Sequence, residues 1–343
     1  MTPALAATLP DGAQQLLDEA GLTGRRSIVP LAGGRNNRVF LVATETRRAL
    51  LKRYFYHPAD PRDRLGNEVR FVDYAWQQGI RAVPEPIACA PDDHLALFSF
   101  VEGRRLRADE VDLSHLGDAL DFFRALNRTR DRARHIGNGS EACFSLAEHL
   151  SCIDRRIARL EAIREETSLG IAAVGFLRHE LRPAWQALRE LSRQRARAHK
   201  IDLSAPLRLE QRILSPSDFG FHNALYTPDH RLIFHDFEYA GWDDPAKLVC
   251  DFFCQVEVPI DRRHFGWFAA AVAACTTDPL RLMQRIELLF PVYQTKWCTI
   301  LLNEFLPVDG ARRSFSEPTI GEERKRCQLD LARHCLGQIA GRI

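Results

Sequence analysis

The sequence lacks several features that mark large classes of protein. Its 343 residues contain no apolar run long enough to cross a membrane, and the first 21 residues show no basic start followed by an apolar stretch. We therefore expect a soluble, cytoplasmic protein without a secretory leader and without a membrane partner. The formal net charge is only +2, so the overall charge gives no reason to expect a nucleic-acid or strongly acidic partner.

Motifs of metal sites and of several enzyme classes are also missing. The nine cysteines form no C-x-x-C pair, and Cys250 and Cys254 have no His or Cys partners at zinc spacing. We therefore expect reduced thiols that mostly serve as small core residues. The chain contains no G-x-S-x-G, H-E-x-x-H or G-x-x-x-x-G-K-[ST] motif, which disfavours hydrolases, zinc proteases and P-loop enzymes.

What the sequence does contain is enough apolar material for two lobes, since 45% of its residues are hydrophobic and 27% are charged. Residues 27–101 show strand patterns interrupted by one helical pattern, in the order β-β-β-α-β-β. Helical spacing dominates after residue 101. We predict an α+β fold with a small antiparallel sheet lobe at residues 1–101 and a larger, mainly helical lobe at residues 102–343.

Two short segments of the second lobe carry the strongest chemical signal. Asp218 is followed five residues later by Asn223, and Asp236 comes thirteen residues after Asn223, at the end of an apolar run. This layout is used to transfer phosphate from ATP. The first aspartate can orient and deprotonate a hydroxyl, whereas the asparagine and the second aspartate offer the hard oxygen ligands that Mg²⁺ prefers.

The roles of the two aspartates can be told apart by their surroundings. Asp218-Phe219-Gly220 spells the magnesium triplet of protein kinases, and a base-bearing loop should then precede it. Upstream, Asp202 is followed five residues later by Leu207, which cannot bind a metal. Asp236 has the matching context, because an apolar strand runs straight into it. We therefore predict that Asp218 is the base and that Asp236 is the metal ligand.

Four further residues are candidates for the same site. Gly33 and Gly34 lie in a turn between two predicted strands, where backbone amides can approach phosphates, although an ordinary hairpin turn is the alternative. Lys52 lies in the third predicted strand and can pair with ATP phosphates if Glu68, sixteen residues on, positions it. Each of these two residues alone could be a surface charge.

Glu238 alternates with Phe237 and could therefore face the same side as Asp236. We expect it to support the metal site, to bind a second metal ion or to contact the phosphate acceptor.

Together these residues resemble the aminoglycoside phosphotransferase and choline kinase superfamily, small-molecule kinases with a protein-kinase-like, two-lobe fold. The resemblance covers about residues 28–302. The family motif H-G-D-x-x-x-x-N matches residues 215–223 in spacing, and the family motif I-D-F-E-Y matches residues 235–239. One position departs from the pattern, because Pro216 replaces the family histidine, which puts the geometry of the loop in question.

The resemblance implies a role for each candidate residue. Asp218 takes the position of the catalytic base, and Asn223 and Asp236 take the positions of the Mg²⁺ ligands. Lys52 and Glu68 take the positions of the sheet lysine and its helix partner. Residues 98–101, including Phe100, match the strand that joins the lobes and offers backbone groups to adenine.

The segment from Tyr293 to Ile300 is similar to the helix that lends aromatic residues to the ammonium site of choline kinases. Here Lys296 stands beside Trp297, and a cation near the pocket disfavours choline. We therefore expect Lys296 and Trp297 near the acceptor, and a sugar, sugar phosphate or related polyhydroxyl compound as the acceptor. The alternative is that Lys296 points to solvent. Another alternative is that the protein is an aminoglycoside or amino-alcohol kinase.

The sequence thus predicts an ATP- and Mg²⁺-dependent kinase that acts on a hydroxyl of a small molecule. One alternative is a non-catalytic kinase-like binding module, which only Pro216 favours. Another is a protein or RNA kinase that docks through basic helices such as residues 189–200. That basic run lacks interleaved aromatic residues, which disfavours nucleic acid as a partner. The oligomeric state is undetermined.

Overall fold

The computed structural model of the protein describes residues 9–31, 37–58, 60, 62–306 and 321–340. Gly33 and Gly34 lie outside the described residues, so their contact with phosphate stays a prediction. In the described part of the chain, no helix combines the length and the apolar character that a membrane crossing requires.

The first lobe is an antiparallel sheet of five strands, which lie in the order β1-β2-β3-β5-β4. Its elements are α1 (Ala13–Glu19), β1 (Ser27–Leu31), β2 (Asn37–Ala43), β3 (Arg48–Tyr54), α2 (Arg64–Gln77), β4 (Pro86–Ala90) and β5 (Leu95–Ser99). Helix α2 begins where Asp63 accepts a hydrogen bond from the backbone nitrogen of Gly66 at 2.9 Å.

Alternation along the strands decides which side chains face α1 and which face α2. In β3, Leu51 is buried in one apolar cluster with Leu16 and Leu17 of α1. The residue after it, Lys52, points to the opposite face, where α2 covers the sheet. The sequence of β3 therefore carries the lysine to the side of the sheet that faces the second lobe.

The second lobe is mainly helical and contains two short two-stranded sheets. Its helices are α3 (Leu113–Arg128), α4 (Leu146–Arg159), α5 (Ser168–Phe176), α6 (Arg182–Ala198), α7 (Pro245–Cys254), α8 (Phe265–Ala273), α9 (Pro279–Leu301) and α10 (Glu322–Ala340). Strand β6 (Ile213–Ser215) pairs with β9 (Gly241–Asp243), and β7 (Ala224–Tyr226) pairs with β8 (Leu232–Phe234). These short strands carry the loops that contain Asp218 and Asp236.

The predicted α+β fold, a small antiparallel sheet with a larger helical region, is confirmed. The lobe boundary near residue 101 stays a prediction. Helix α4 ends at Arg159, and a short 3₁₀ turn (Leu160–Ala162) follows it. Thr167 then starts α5, since its hydroxyl accepts a hydrogen bond from the backbone nitrogen of Gly170 at 3.0 Å.

Candidate active site

The candidate residues of the two lobes meet in one cleft of about 720 Å³. Lys52 of β3 and Glu68 of α2 line it from the sheet side, and Asp218, Asn223 and Asp236 line it from the helical side. The structure thus brings together five residues that are separated by up to 184 positions in the chain. A cleft of this volume is large enough for a small ligand.

Lys52 forms the centre of this arrangement. Its Nζ atom lies 2.6 Å from Oε2 of Glu68 and 2.5 Å from Oδ1 of Asp236. Burial works against the charged form of Lys52, but the carboxylates of Asp236 and Glu68 outweigh it and raise the pKa of the lysine. Lys52 is therefore a fixed cation at the junction of β3, α2 and the segment after β8.

Glu68 is itself held in place through both carboxylate oxygens. The hydroxyl of Tyr54 donates a hydrogen bond to Oε2 at 2.7 Å, and the backbone nitrogen of Phe237 donates one to Oε1 at 3.2 Å. Because Glu68 bonds to β3 and to the segment after Asp236, it fixes the position of Lys52 relative to both lobes.

Asp218 lies in the loop after β6 and contacts two residues further along the same segment, His222 and Asn223. Its Oδ1 atom lies 3.2 Å from Nε2 of His222, and its backbone oxygen accepts a hydrogen bond from Nδ2 of Asn223 at 3.0 Å. Burial alone would raise the pKa of Asp218, but the neighbouring His222 lowers it to about 2. Asp218 is therefore ionised at neutral pH and can accept a hydrogen bond from a hydroxyl.

The loop with Pro216 is anchored by contacts that sequence reasoning missed. The hydroxyl of Ser215 accepts a hydrogen bond from the backbone nitrogen of Ser217 at 3.1 Å. Asn127 of α3 bonds to both backbone groups of Leu214, at 2.9 and 3.0 Å. Because these contacts hold the chain on the N-terminal side of Asp218, Pro216 does not leave the loop without polar support.

Ser217 has a φ of 64°, in the left-handed region that side chains with a Cβ rarely adopt. We expect Ser217→Gly to be more stable than Ser217→Ala by about 1 kcal/mol, because both variants lose the hydroxyl and only glycine is unstrained there. Urea unfolding of both variants measures the difference.

Ser192, in the interior of α6, is the matched control for this comparison. There the order should reverse, since glycine is about 1 kcal/mol worse than alanine inside a helix. Equal stabilities of Ser217→Gly and Ser217→Ala would mean that the backbone at Ser217 is not strained.

Asn223 and Asp236 have the donor set that fits Mg²⁺. The amide nitrogen of Asn223 is engaged with Asp218, which leaves its amide oxygen for a cation, and the carboxylate of Asp236 also faces the cleft. Among the described residues, no three His, Cys, Asp or Glu side chains form a metal-binding group. Mg²⁺ does not need such a group, because water and phosphate oxygens complete its shell.

Glu238 is buried close to Asp236, so its expected support of the metal site stays a prediction. Its side chain is fully buried and is not among the described residues that line the cleft. Its Oε2 atom accepts a hydrogen bond from Nδ2 of Asn37 at 2.9 Å and lies 3.8 Å from Nε of Arg64. Burial and the nearby Asp236 raise its pKa. The predicted contact with an acceptor does not fit this position, because Glu238 joins the second lobe to β2 and α2.

Lys296 and Trp297 of α9 line the cleft, and the part of the cleft that α9 forms is called its far end below. Lys296 is only 8% exposed, so the alternative that it points to solvent is wrong. Its Nζ atom lies 2.8 and 3.1 Å from the two carboxylate oxygens of Asp251, and Nε1 of Trp297 donates a hydrogen bond to Asp251 at 3.0 Å. Asp251 therefore compensates the charge of Lys296.

The predicted nucleotide end of the cleft is lined by Phe98, Ser99 and Val101. Phe100 is not among the described lining residues, and its ring packs 5.0 Å from the guanidinium group of Arg48. Contact of this segment with adenine through backbone groups stays a prediction.

Several further residues that line the cleft were not predicted from the sequence, because they come from elements that are distant in the chain. They are Ser140, Glu141, Arg156 and Arg159, and Arg324 of α10. Arg156 pairs with Glu141. The one available signal is that Arg156 and Arg159 lie three residues apart on one helix and therefore share a face.

A comparison with models of protein families matches residues 27–252 to the phosphotransferase enzyme family, which is about two thirds of the chain. No curated protein sequence matches the chain.

Solved structures of similar fold include the following three proteins. A choline kinase, LicA, from Streptococcus pneumoniae is 13% identical, with a TM-score of 0.58 over 94% of this chain and 97% of that one. A choline/ethanolamine kinase family protein from Mesorhizobium loti is 16% identical, with a TM-score of 0.58 over 94% and 92%. Spectinomycin phosphotransferase, solved with ADP and spectinomycin, is 10% identical, with a TM-score of 0.62 over 97% and 99%. LicA has also been solved with AMP. These likenesses are in fold.

Proposed function

Because the chain belongs to the phosphotransferase enzyme family, we propose that it transfers the γ-phosphoryl group of ATP to a hydroxyl of a small polyhydroxyl compound. Membership of the family confirms the predicted enzyme class, a phosphotransferase, and the predicted resemblance to aminoglycoside phosphotransferases and choline kinases is confirmed as well. The observation that carries the proposal is the convergence of the five candidate residues in one cleft.

On the nucleotide side, Lys52 contacts the phosphates of ATP, and Glu68 holds Lys52 in place. The nucleotides in the solved structures of similar fold support this side of the proposal. Asn223 and Asp236 would hold Mg²⁺, which neutralises charge on the phosphates when it is bound. The two residues suit this role because each presents an oxygen to the same cleft as Lys52.

On the acceptor side, Asp218 receives the hydroxyl. The acceptor oxygen forms a bond to the γ-phosphorus atom while the bond from that phosphorus to the bridging oxygen breaks, and ADP leaves. The hydroxyl proton passes to the carboxylate of Asp218. Because the pKa of Asp218 is about 2, the carboxylate is a weak base, and its main contribution is to orient the hydroxyl.

The nature of the acceptor follows from the far end of the cleft. Groups of both charges line the cleft on the side of the helical lobe, including Glu141, Arg156 and Arg159, and the same lobe contributes Trp297. Such a lining offers many hydrogen-bond donors and acceptors, which suits a compound with several hydroxyls. Sugars and sugar phosphates are therefore the first acceptors to test.

The test is an assay of ADP formation with Mg²⁺ and ATP across a panel of sugars, sugar phosphates, polyols, amino alcohols and aminoglycosides. We expect turnover with at least one sugar or polyol and no need for a macromolecular acceptor. Turnover only with a protein or an RNA would overturn the small-molecule proposal. Absence of both turnover and nucleotide binding in the folded protein would favour the non-catalytic module.

A further inference from the structure

At the far end of the cleft, an ammonium group of the chain itself sits in a site made of a carboxylate and aromatic rings. The Nζ atom of Lys296 lies 2.8 Å from Oδ2 of Asp251 and 4.9 Å from the centre of the Tyr293 ring. Trp297 bonds to the same carboxylate through Nε1. All four residues are buried.

A buried carboxylate combined with an aromatic face is an environment that binds ammonium groups well, because the charge pairing and the ring quadrupole act together. Lys296 fills this environment because it follows Tyr293 by three residues on α9, so the two side chains share a helix face. The carboxylate comes from α7, which packs against α9.

The filled site faces the ligand space. Asp251, Lys296 and Trp297 all line the cleft that holds Asp218, so an acceptor that reaches Asp218 can also reach them. An ammonium group of an acceptor would find the carboxylate already paired and would meet a second positive charge. Repulsion between like charges is strong where water is largely excluded.

We propose that Lys296 determines acceptor specificity by occupying the ammonium site, so that the enzyme rejects acceptors whose cationic group would bind there. Lys296 does not attract an anion, since Asp251 balances its charge. That the rejected molecules are acceptors rests on the proposed function, but binding at the ammonium site does not require turnover.

Removal of the lysine side chain should open the site. In Lys296→Ala, Asp251 loses its ion-pair partner and keeps the hydrogen bond from Nε1 of Trp297, so the Tm should fall. Tetramethylammonium chloride should then raise the Tm of this variant, by about 5 °C near saturation, because the cation restores the pairing. Wild type and Lys296→Arg, which keep a cation in the site, should not respond.

Two ligands of the same shape, one charged and one neutral, test whether the rise in Tm depends on the charge of the ligand. Choline should raise the Tm of Lys296→Ala, and 3,3-dimethylbutan-1-ol, its uncharged analogue, should not. Equal responses to the two compounds, or a response of the wild type to choline, would overturn the proposal.

Arg285→Ala is the control for the loss of a buried cation. Arg285 pairs with Asp244 and is not among the described residues that line the cleft. Its replacement should lower the Tm, but tetramethylammonium should not restore it. A restoration equal to that of Lys296→Ala would show a general effect of the salt and would contradict the proposal.

Lys296→Ser is the second variant if Lys296→Ala does not fold, because its small hydroxyl side chain also leaves room for a cation beside Asp251. A folded Lys296→Ser that does not respond to tetramethylammonium would overturn the proposal. The measurements contain no nucleotide, so their failure is distinct from a failure of the proposed kinase activity, which the assay of ADP formation tests.

Discussion

Asp218→Asn should lower kcat by a factor of about 10² to 10⁴, the usual contribution of a positioned proton acceptor. The amide has the size of the carboxylate but cannot take a proton from the acceptor hydroxyl. Affinity for Mg²⁺ and ATP should change little, since Lys52 contacts Glu68 and Asp236 rather than Asp218. Steady-state kinetics with the acceptor found in the panel measure the first effect, and the rise in Tm with nucleotide measures the second.

His222→Gln is the control for this variant, because His222 supports Asp218 at 3.2 Å without replacing its carboxylate. We expect a smaller loss of kcat in His222→Gln than in Asp218→Asn. Unchanged kcat in Asp218→Asn would overturn the assignment of the base. Loss of nucleotide binding together with kcat would point to a collapsed loop rather than to a missing base.

Asp236→Asn should abolish the Mg²⁺-dependent part of nucleotide binding. In the wild type, a nucleotide at one hundred times its Kd should raise the free energy of unfolding by about 2.7 kcal/mol. The variant keeps the Lys52–Glu68 ion pair but loses the carboxylate that Mg²⁺ would bind. Thermal unfolding with ATP, with and without Mg²⁺, measures the effect.

Glu257→Gln is the matched control, because Glu257 is an exposed acidic residue that lines the same cleft from outside the proposed metal site. Its response to Mg²⁺ and ATP should equal that of the wild type. A full Mg²⁺-dependent shift in Asp236→Asn would contradict the role of Asp236 as metal ligand. No shift in the wild type would favour the non-catalytic module.

Features that depend on neighbouring residues could be predicted from the sequence. The five-residue spacing from Asp218 to Asn223 and the apolar run before Asp236 are local patterns, and all three residues line the cleft. The same holds for Lys52 and Glu68, whose strand and helix are recognisable from their periodicity, although the ion pair between them needed the fold.

Glu238 shows how far alternation can predict a site. Its carboxylate lies near that of Asp236, as alternation suggested. Its full burial and its contacts with Asn37 and Arg64 depend on elements of the first lobe that are distant in the chain. Such contacts cannot be read from periodicity, so the burial of Glu238 was not predictable.

The contacts around Lys296 could not be predicted from the sequence for a different reason. The sequence placed Lys296 beside Trp297, but it could not show which carboxylate pairs with the lysine. Asp251 lies 45 residues earlier, on another helix, and several other acidic residues were equally suitable. The packing of α7 against α9 brings Asp251, rather than another acidic residue, next to Lys296.

The contact between Glu238 and Asn37 also bears on how the chain folds. These residues are 201 positions apart, and the hydrogen bond between them is buried. If the second lobe formed alone, Glu238 would lose the partners and the cover that Asn37 and Arg64 provide, and water would replace the buried hydrogen bond. Each lobe therefore completes the polar interior of the other, so the two should be acquired and lost as one cooperative unit rather than as autonomous domains.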